Sequence, residues 1–163
     1  MQNLTNIPFG LKGKIYRSPM PFGYFDEGKT TFDEFKDSNI DTAVVLVPND
    51  ELLERSGLDL LAFYKENDIA VLHLPMADFD VPEDHRNLET TLNETIRQAE
   101  EGKNLVVHCY AGRGRTGMLI ALLARRVLNM GGGEAITWTR KFFPAVETGS
   151  QRKIVMTNNH RED

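Results

Sequence analysis

The chain has 163 residues, 40% hydrophobic and 26% charged, which suits one soluble globular domain with a sizeable core. Its formal net charge of −5 argues against nucleic acid or an anionic membrane surface as the main partner. A single cysteine excludes an internal disulfide and points to a reducing, cytoplasmic setting, and neither a secretory signal nor a membrane span is expected.

Residues 1–13 read as an irregular N-terminal arm before a short edge strand at 14–17. Ser18-Pro19-Met20-Pro21 then forces an extended segment. Thr30 or Thr31 is placed to cap a short helix through Lys36, with Glu34 completing a capping box. Residues 41–47 (DTAVVLV) read as a fully buried strand stopped by Pro48-Asn49. Residues 51–66 predict helix, interrupted near Gly57. A second buried strand is expected over 69–74, ended by Pro75, and 76–83 is a loop.

The spacing of Leu88, Leu92, Ile96 and Ala99 predicts a helix over 85–101, stopped by Gly102. Leu105-Val106-Val107 predicts a strand and 115–128 a buried central helix. Two further helices are expected near 134–142 and 149–158. Buried strands alternating with helices imply an α/β fold: a central, mainly parallel sheet of four to five strands with helices on both faces. Residues 1–163 then form a single domain. Ligands bind at the carboxyl ends of such strands, where Cys109 and the 76–83 loop both fall.

Five residues separate Cys109 from Arg115, so the intervening loop can curl about one bound anion. Backbone amides of Tyr110, Ala111, Gly112, Arg113 and Gly114 at a helix N-terminus suit phosphate oxygens. Gly112 and Gly114 permit the close approach, and the planar Arg115 guanidinium matches two phosphate oxygens. The same amides and the helix dipole favour a cysteine thiolate, the nucleophilic form. Thr116 can donate to the sulfur when it leaves. His108 is read as fixing the loop through backbone carbonyls, and no partner at ligand spacing makes it a metal ligand.

His108-Cys109-Tyr110-Ala111-Gly112-Arg113-Gly114-Arg115-Thr116-Gly117 matches the H-C-x-x-G-x-x-R-[ST]-G signature at every fixed position. The chain therefore resembles the cysteine-dependent protein tyrosine phosphatases. Its compact size is similar to the dual-specificity branch. HCYAGRGR and PMADFDVPED are similar to cyclin-dependent kinase-associated phosphatases and small bacterial relatives.

The resemblance implies a dual-specificity-phosphatase-like fold and a metal-independent phosphomonoesterase with no cofactor. Cys109 would be the nucleophile and Arg115 the phosphate ligand. His108, Tyr110, Ala111, Gly112, Arg113, Gly114 and Thr116 would form the phosphate loop. Asp78, three residues before Val81-Pro82, takes the place of the family's general acid, with Asp80 as runner-up.

The family's Q-T-x-x-Q water-positioning segment is similar to Glu147-Thr148-Gly149-Ser150-Gln151, so Gln151 or Glu147 could orient water, or Gln151 could simply cap the last helix. The expected substrate is a protein carrying phosphotyrosine, with phosphoserine and phosphothreonine as further candidates. Phosphoinositide-specific members carry lysines where this chain has Tyr110 and Arg113, so Arg113 either meets a second phosphate or pairs with a surface carboxylate. A phosphoinositide or nucleotide/RNA phosphatase and a non-catalytic phosphate-binding module are the competing readings. Oligomeric state is not legible.

Overall fold

In the structure, a computed structural model that describes residues 2–158, five strands build one sheet in the order β1-β2-β5-β3-β4. They are β1 (Thr5–Ile7), β2 (Ile15–Ser18), β3 (Thr42–Val45), β4 (Ala70–His73) and β5 (Leu105–His108). Only β1 runs antiparallel to its neighbour. The helices are α1 (Thr31–Asp37), α2 (Asn49–Ser56), α3 (Leu60–Glu66), α4 (His85–Glu100), α5 (Gly114–Val127), α6 (Gly132–Thr139) and α7 (Gly149–Thr157). This is the expected α/β architecture.

The two central strands of the sheet, β3 and β5, are buried throughout, as their unbroken apolar runs require. Helix α5 is buried continuously from Gly114 to Ala124 and packs against α4, α6 and α7. A second cluster joins Phe32 and Phe35 of α1 to Phe63 and Tyr64 of α3 and to His108. The register sets the site: Ser18 of β2 and Val45 of β3 both stand opposite His108. Met76 then donates its N–H to the Leu46 carbonyl at 3.3 Å, so the 76–83 loop turns over the same sheet edge.

Several local expectations change. The N-terminal arm is not irregular: 5–7 pair with β2, which moves β2 from the edge to the interior of the sheet. Expected as buried, β4 is an edge strand with Ala70 exposed, because a short apolar run reads alike at an edge and in a core. The box of Thr31 with Glu34 does not form, because Thr30 is the N-cap and Thr31 already lies inside the helix. Glu34 instead accepts N–H groups from Gln2 at 2.8 Å and Asn3 at 2.9 Å, which ties the arm to α1. Gly57 ends α2 in the left-handed conformation expected of a helix-stopping glycine, and the segment between α2 and α3 is not helical. Helix α6 covers 132–139 rather than 134–142.

Candidate active site

Strand β5 ends at His108 and delivers Cys109, only 3% exposed, to the loop that opens α5. Gly112 has φ +77°, and a Cβ there would collide with the Arg17 guanidinium and the Ser18 carbonyl. Arg17, on β2, donates Nε to the Gly112 carbonyl at 3.0 Å and Nη2 to the Ala111 carbonyl at 3.2 Å. In a trans peptide the N–H points opposite the C=O. Arg17 therefore turns the Gly112 and Arg113 amides away from itself, on the far side of the loop. Burial pulls the Arg17 guanidinium down to about 10, against the opposing influence of Cys109.

His108 is wholly buried. Its Nδ1 lies 3.1 Å from the Cys109 carbonyl and its Nε2 2.7 Å from the Tyr64 hydroxyl. A carbonyl only accepts, so Nδ1 carries the proton and Tyr64 donates to Nε2. Burial lowers the His108 pKa from 6.5 to about 4, so the folded state holds it neutral. Between those values the unfolded chain binds a proton that the folded chain refuses, so stability is lost as pH falls through that window. Denaturant titrations above pH 6.5 and near pH 4 should record this loss, and His108→Gln should reduce it. Equal losses in both proteins would exclude His108 as its source.

The Arg115 side chain is 1% exposed. Its Nη1 donates to Glu51 Oε1 at 3.0 Å and to the Met76 carbonyl at 3.1 Å; Nη2 donates to Glu51 Oε2 at 2.8 Å and lies 3.3 Å from Asp78 Oδ1. Burial alone would lower this guanidinium's pKa; the Glu51 hydrogen bonds, with Cys109 and Asp78, reverse that and raise it. Two buried polar atoms at the loop, Arg115 Nε and Thr116 Oγ1, have no hydrogen-bond partner. Buried unpartnered groups are rare in folded proteins, and two of the three among the described residues fall at this loop; the third is Arg126 Nε.

A cavity of about 310 Å³ opens over the loop. Its lining includes Cys109, Asp78, Tyr110, Phe25, Phe79 and Arg55, together with Ala111, Arg113 and Glu147. The expected residues therefore meet, with differences. Asp78 faces this cavity. The Asp80 carboxylate is not part of its lining; it accepts its own loop's Val81 N–H at 2.8 Å and is exposed. Gln151 is fully buried and forms the capping box of α7 with Thr148, and its Nε2 donates to the Asp80 carbonyl at 3.2 Å. Glu147 and Gln151 both crowd Gly114, where a Cβ would stand 2.8 Å from Glu147 Oε1.

Arg113 forms no ion pair among the described residues. Its guanidinium lies 5.6 Å from the Phe25 ring centroid. It also borders a neighbouring cavity of about 420 Å³ that Arg17, Tyr24 and Pro144 help to line. Sequence reasoning missed Arg17, Phe25, Glu51, Arg55 and Tyr64. The only available signal was the i,i+4 pair of Glu51 and Arg55 just after a predicted strand.

Among the described residues no cluster of three or more His, Cys, Asp or Glu side chains suits a metal, and no helix is long and apolar enough to cross a membrane. A family model described as "Polymorphic toxin system, DSP-PTPase phosphatase" matches residues 23–127, more than half of the chain. No curated protein matches the sequence significantly. Among solved structures, a kinase associated phosphatase with its catalytic-site cysteine replaced by serine shares 21% identity over 93% of this chain and 90% of that one, with a TM-score of 0.82. Tk-PTP in its active form shares 27% identity over 88% and 89%, at 0.72. The core catalytic domain of the PP-IP phosphatase SIW14 from S. cerevisiae shares 22% over 89% and 80%, at 0.63.

Proposed function

The chain belongs to the DSP-PTPase phosphatase family of polymorphic toxin systems, and from that premise we propose how its own residues carry out the phosphatase reaction. It is a protein-tyrosine-phosphatase-type hydrolase of phosphoric monoesters. Cys109 Sγ attacks phosphorus, the bond to the leaving oxygen breaks, and Asp78 gives that oxygen a proton. The cysteinyl-phosphate is then attacked by water, whose proton returns to Asp78. Phosphate leaves, Cys109 is regenerated as thiolate, and Thr116 Oγ1 donates to it.

The observation that carries this reading is the pair of unpartnered buried groups, Arg115 Nε and Thr116 Oγ1, in the first turn of α5 directly after the Cys109 loop. Glu51 holds the Nη1/Nη2 edge of Arg115 and leaves the Nε side for two phosphate oxygens. His108 and the 110–114 loop are assigned to holding and binding that phosphate. Asp78 rather than Asp80 is assigned as acid because only its carboxylate lines the cavity with Cys109. Gln151 is assigned to capping; Glu147 remains the group nearer the cavity for orienting water. Residues 1–163 are read as one phosphatase domain, since β1 of the arm joins the common sheet.

The substrate reading is a phosphorylated protein. Phe25, Phe79 and Tyr110 surround the cavity, and aromatic walls suit an aryl phosphate. The cytoplasmic placement rests on the single thiol. One observation favours a second reading. Arg113, with no ion pair among the described residues, and the adjoining cavity it shares with Arg17 suit a substrate with a further phosphate, such as an inositol phosphate; SIW14 is described as a PP-IP phosphatase.

The test is hydrolysis of p-nitrophenyl phosphate in EDTA, followed by phosphotyrosyl peptides, phosphoinositides, inositol phosphates and RNA 5′-triphosphate compared by kcat/KM. Turnover in EDTA with peptides preferred supports the first reading. Preference for inositol phosphates by orders of magnitude supports the second. An inert protein that still binds vanadate makes the chain a phosphate-binding module.

A further inference from the structure

We propose that Arg55 is the positioning residue of the acid loop, setting the Asp78 carboxylate from the phosphate loop itself; the proposal rests on Asp78 being the acid. Arg55 lies one helical turn after Glu51 on α2. Its Nη1 is 3.4 Å from Asp78 Oδ2 and 3.5 Å from Glu51 Oε2. Its guanidinium carbon is 3.9 Å from the centroid of the Tyr110 ring, the side chain next to the nucleophile. That ring meets Phe25 edge-on at 5.2 Å on another side. One planar group thus joins three parts of the site: the acid loop, helix α2 and the residue following Cys109.

The two Asp78 oxygens face different arginines, Oδ1 toward Arg115 and Oδ2 toward Arg55. Arg115 is also the residue that must bind the substrate phosphate. Once it does, Arg55 is the cation that stays with the carboxylate. The acid loop needs such a partner. Phe79, next to Asp78, is 58% exposed and has φ +63°, and Asp80 is exposed as well. The loop's other ties are the Met76 N–H to Leu46, the Met76 carbonyl to Arg115 at 3.1 Å, the Asp80 N–H to Ala77 at 3.1 Å, and the Asp80 carbonyl to Gln151. The Asp78 carboxylate accepts its own loop's Phe79 N–H at 3.0 Å on Oδ1, which leaves Arg55 as the partner of Oδ2 among the described residues. A half-exposed ion pair adds little to stability, so the consequence of this contact is geometric. Lysine cannot reproduce it, since a point charge cannot lie flat on a ring and face two carboxylates in one plane.

The experiment compares kcat/KM for phenyl phosphate, whose leaving oxygen needs a proton, with that for p-nitrophenyl phosphate, whose leaving oxygen hardly does. Asp78→Asn is the reference and should slow phenyl phosphate by about 100-fold or more while affecting p-nitrophenyl phosphate far less. Arg55→Met should lower phenyl phosphate turnover by about tenfold and p-nitrophenyl phosphate by less than about twofold, the pattern of a displaced acid. Arg55→Lys should recover part of the loss. In the Asp78→Asn background Arg55→Met should cost nothing further. Equal losses on both substrates, or losses that add to those of Asp78→Asn, would make Arg55 a substrate contact or a structural residue and overturn the proposal. If Asp78→Asn itself shows no dependence on leaving group, the acid assignment falls, and the role of Arg55 falls with it. The two failures are therefore distinguishable.

Discussion

Cys109→Ser should abolish turnover while leaving the phosphate site intact. The thiol is 3% exposed, and a hydroxyl is the nearest replacement in shape, so the loop, its Arg17 ties and the Arg115–Glu51 pair have no reason to move. What is lost is the nucleophile. A serine hydroxyl keeps its proton at neutral pH, and nothing beside it acts as a base: His108 is turned onto the Cys109 carbonyl and the Tyr64 hydroxyl and is held neutral by burial. The loss in kcat should be at least ~10⁴-fold, as for removal of an attacking group elsewhere. Phosphopeptide affinity, measured by calorimetry, should stay within about threefold, because phosphate contacts come from the amides and Arg115. Residual turnover within about 100-fold of wild type would show that the attacking atom is not this sulfur.

Arg115→Met should cost both activity and stability, and Glu51→Gln should separate the two. Arg115 satisfies Glu51 with two hydrogen bonds in a site where the glutamate side chain is only 14% exposed. Deleting the guanidinium leaves two carboxylates, Glu51 and Asp78, facing an apolar replacement with Arg55 alone between them. Breaking a buried pair from one side costs about 3 kcal/mol, because the remaining charge is stranded. The double variant with Glu51→Gln removes that charge and should recover most of the stability in denaturant titrations, while phosphatase activity stays lost. Recovery of activity in the double variant would mean that Arg115 serves only to neutralise Glu51. Absence of any stability change in Arg115→Met would mean that Arg55 or solvent already satisfies Glu51.

The same pair shows where reading the sequence stops. Cys109 and Arg115 stand in a ten-residue run whose course is local: a strand ends, a loop curls, a helix begins. Residue type and spacing suffice to describe that course, although Arg17 braces the loop's carbonyls from about 95 residues away. Asp78 was singled out by its place three residues before Val81-Pro82 in the family resemblance, and its loop follows a strand that ends on the same sheet edge. Glu51 and Arg55 were not. They sit on an amphipathic helix among other charges, and an i,i+4 Glu–Arg pair ordinarily marks a solvated face. Only the parallel register of β3 with β5 brings that helix against Arg115, 64 residues away in sequence.

Arg17 and Tyr64 follow the same rule. One lies on a neighbouring strand and supports the loop's carbonyls; the other lies on α3 and sets the tautomer of His108. Neither has a local pattern that distinguishes it from an ordinary strand arginine or core tyrosine. Threonine caps make the point in miniature. Thr31 with Glu34 and Thr148 with Gln151 carry equivalent capping text, yet only the second pair forms the box. Glu34 is drawn instead to backbone N–H groups of the arm, a competitor that lies about thirty residues away in the chain and that local propensity does not see.

By itself the sequence determined the α/β class and the strand–loop–helix run that carries Cys109 and Arg115, because these follow from short-range periodicity and spacing. Tertiary structure alone decided which strand lies at the edge, which residues line the cavity over Cys109, and which distant charges surround Arg115. Those depend on long-range pairing of chain segments, where burial and charge partners are set by neighbours in space rather than along the chain.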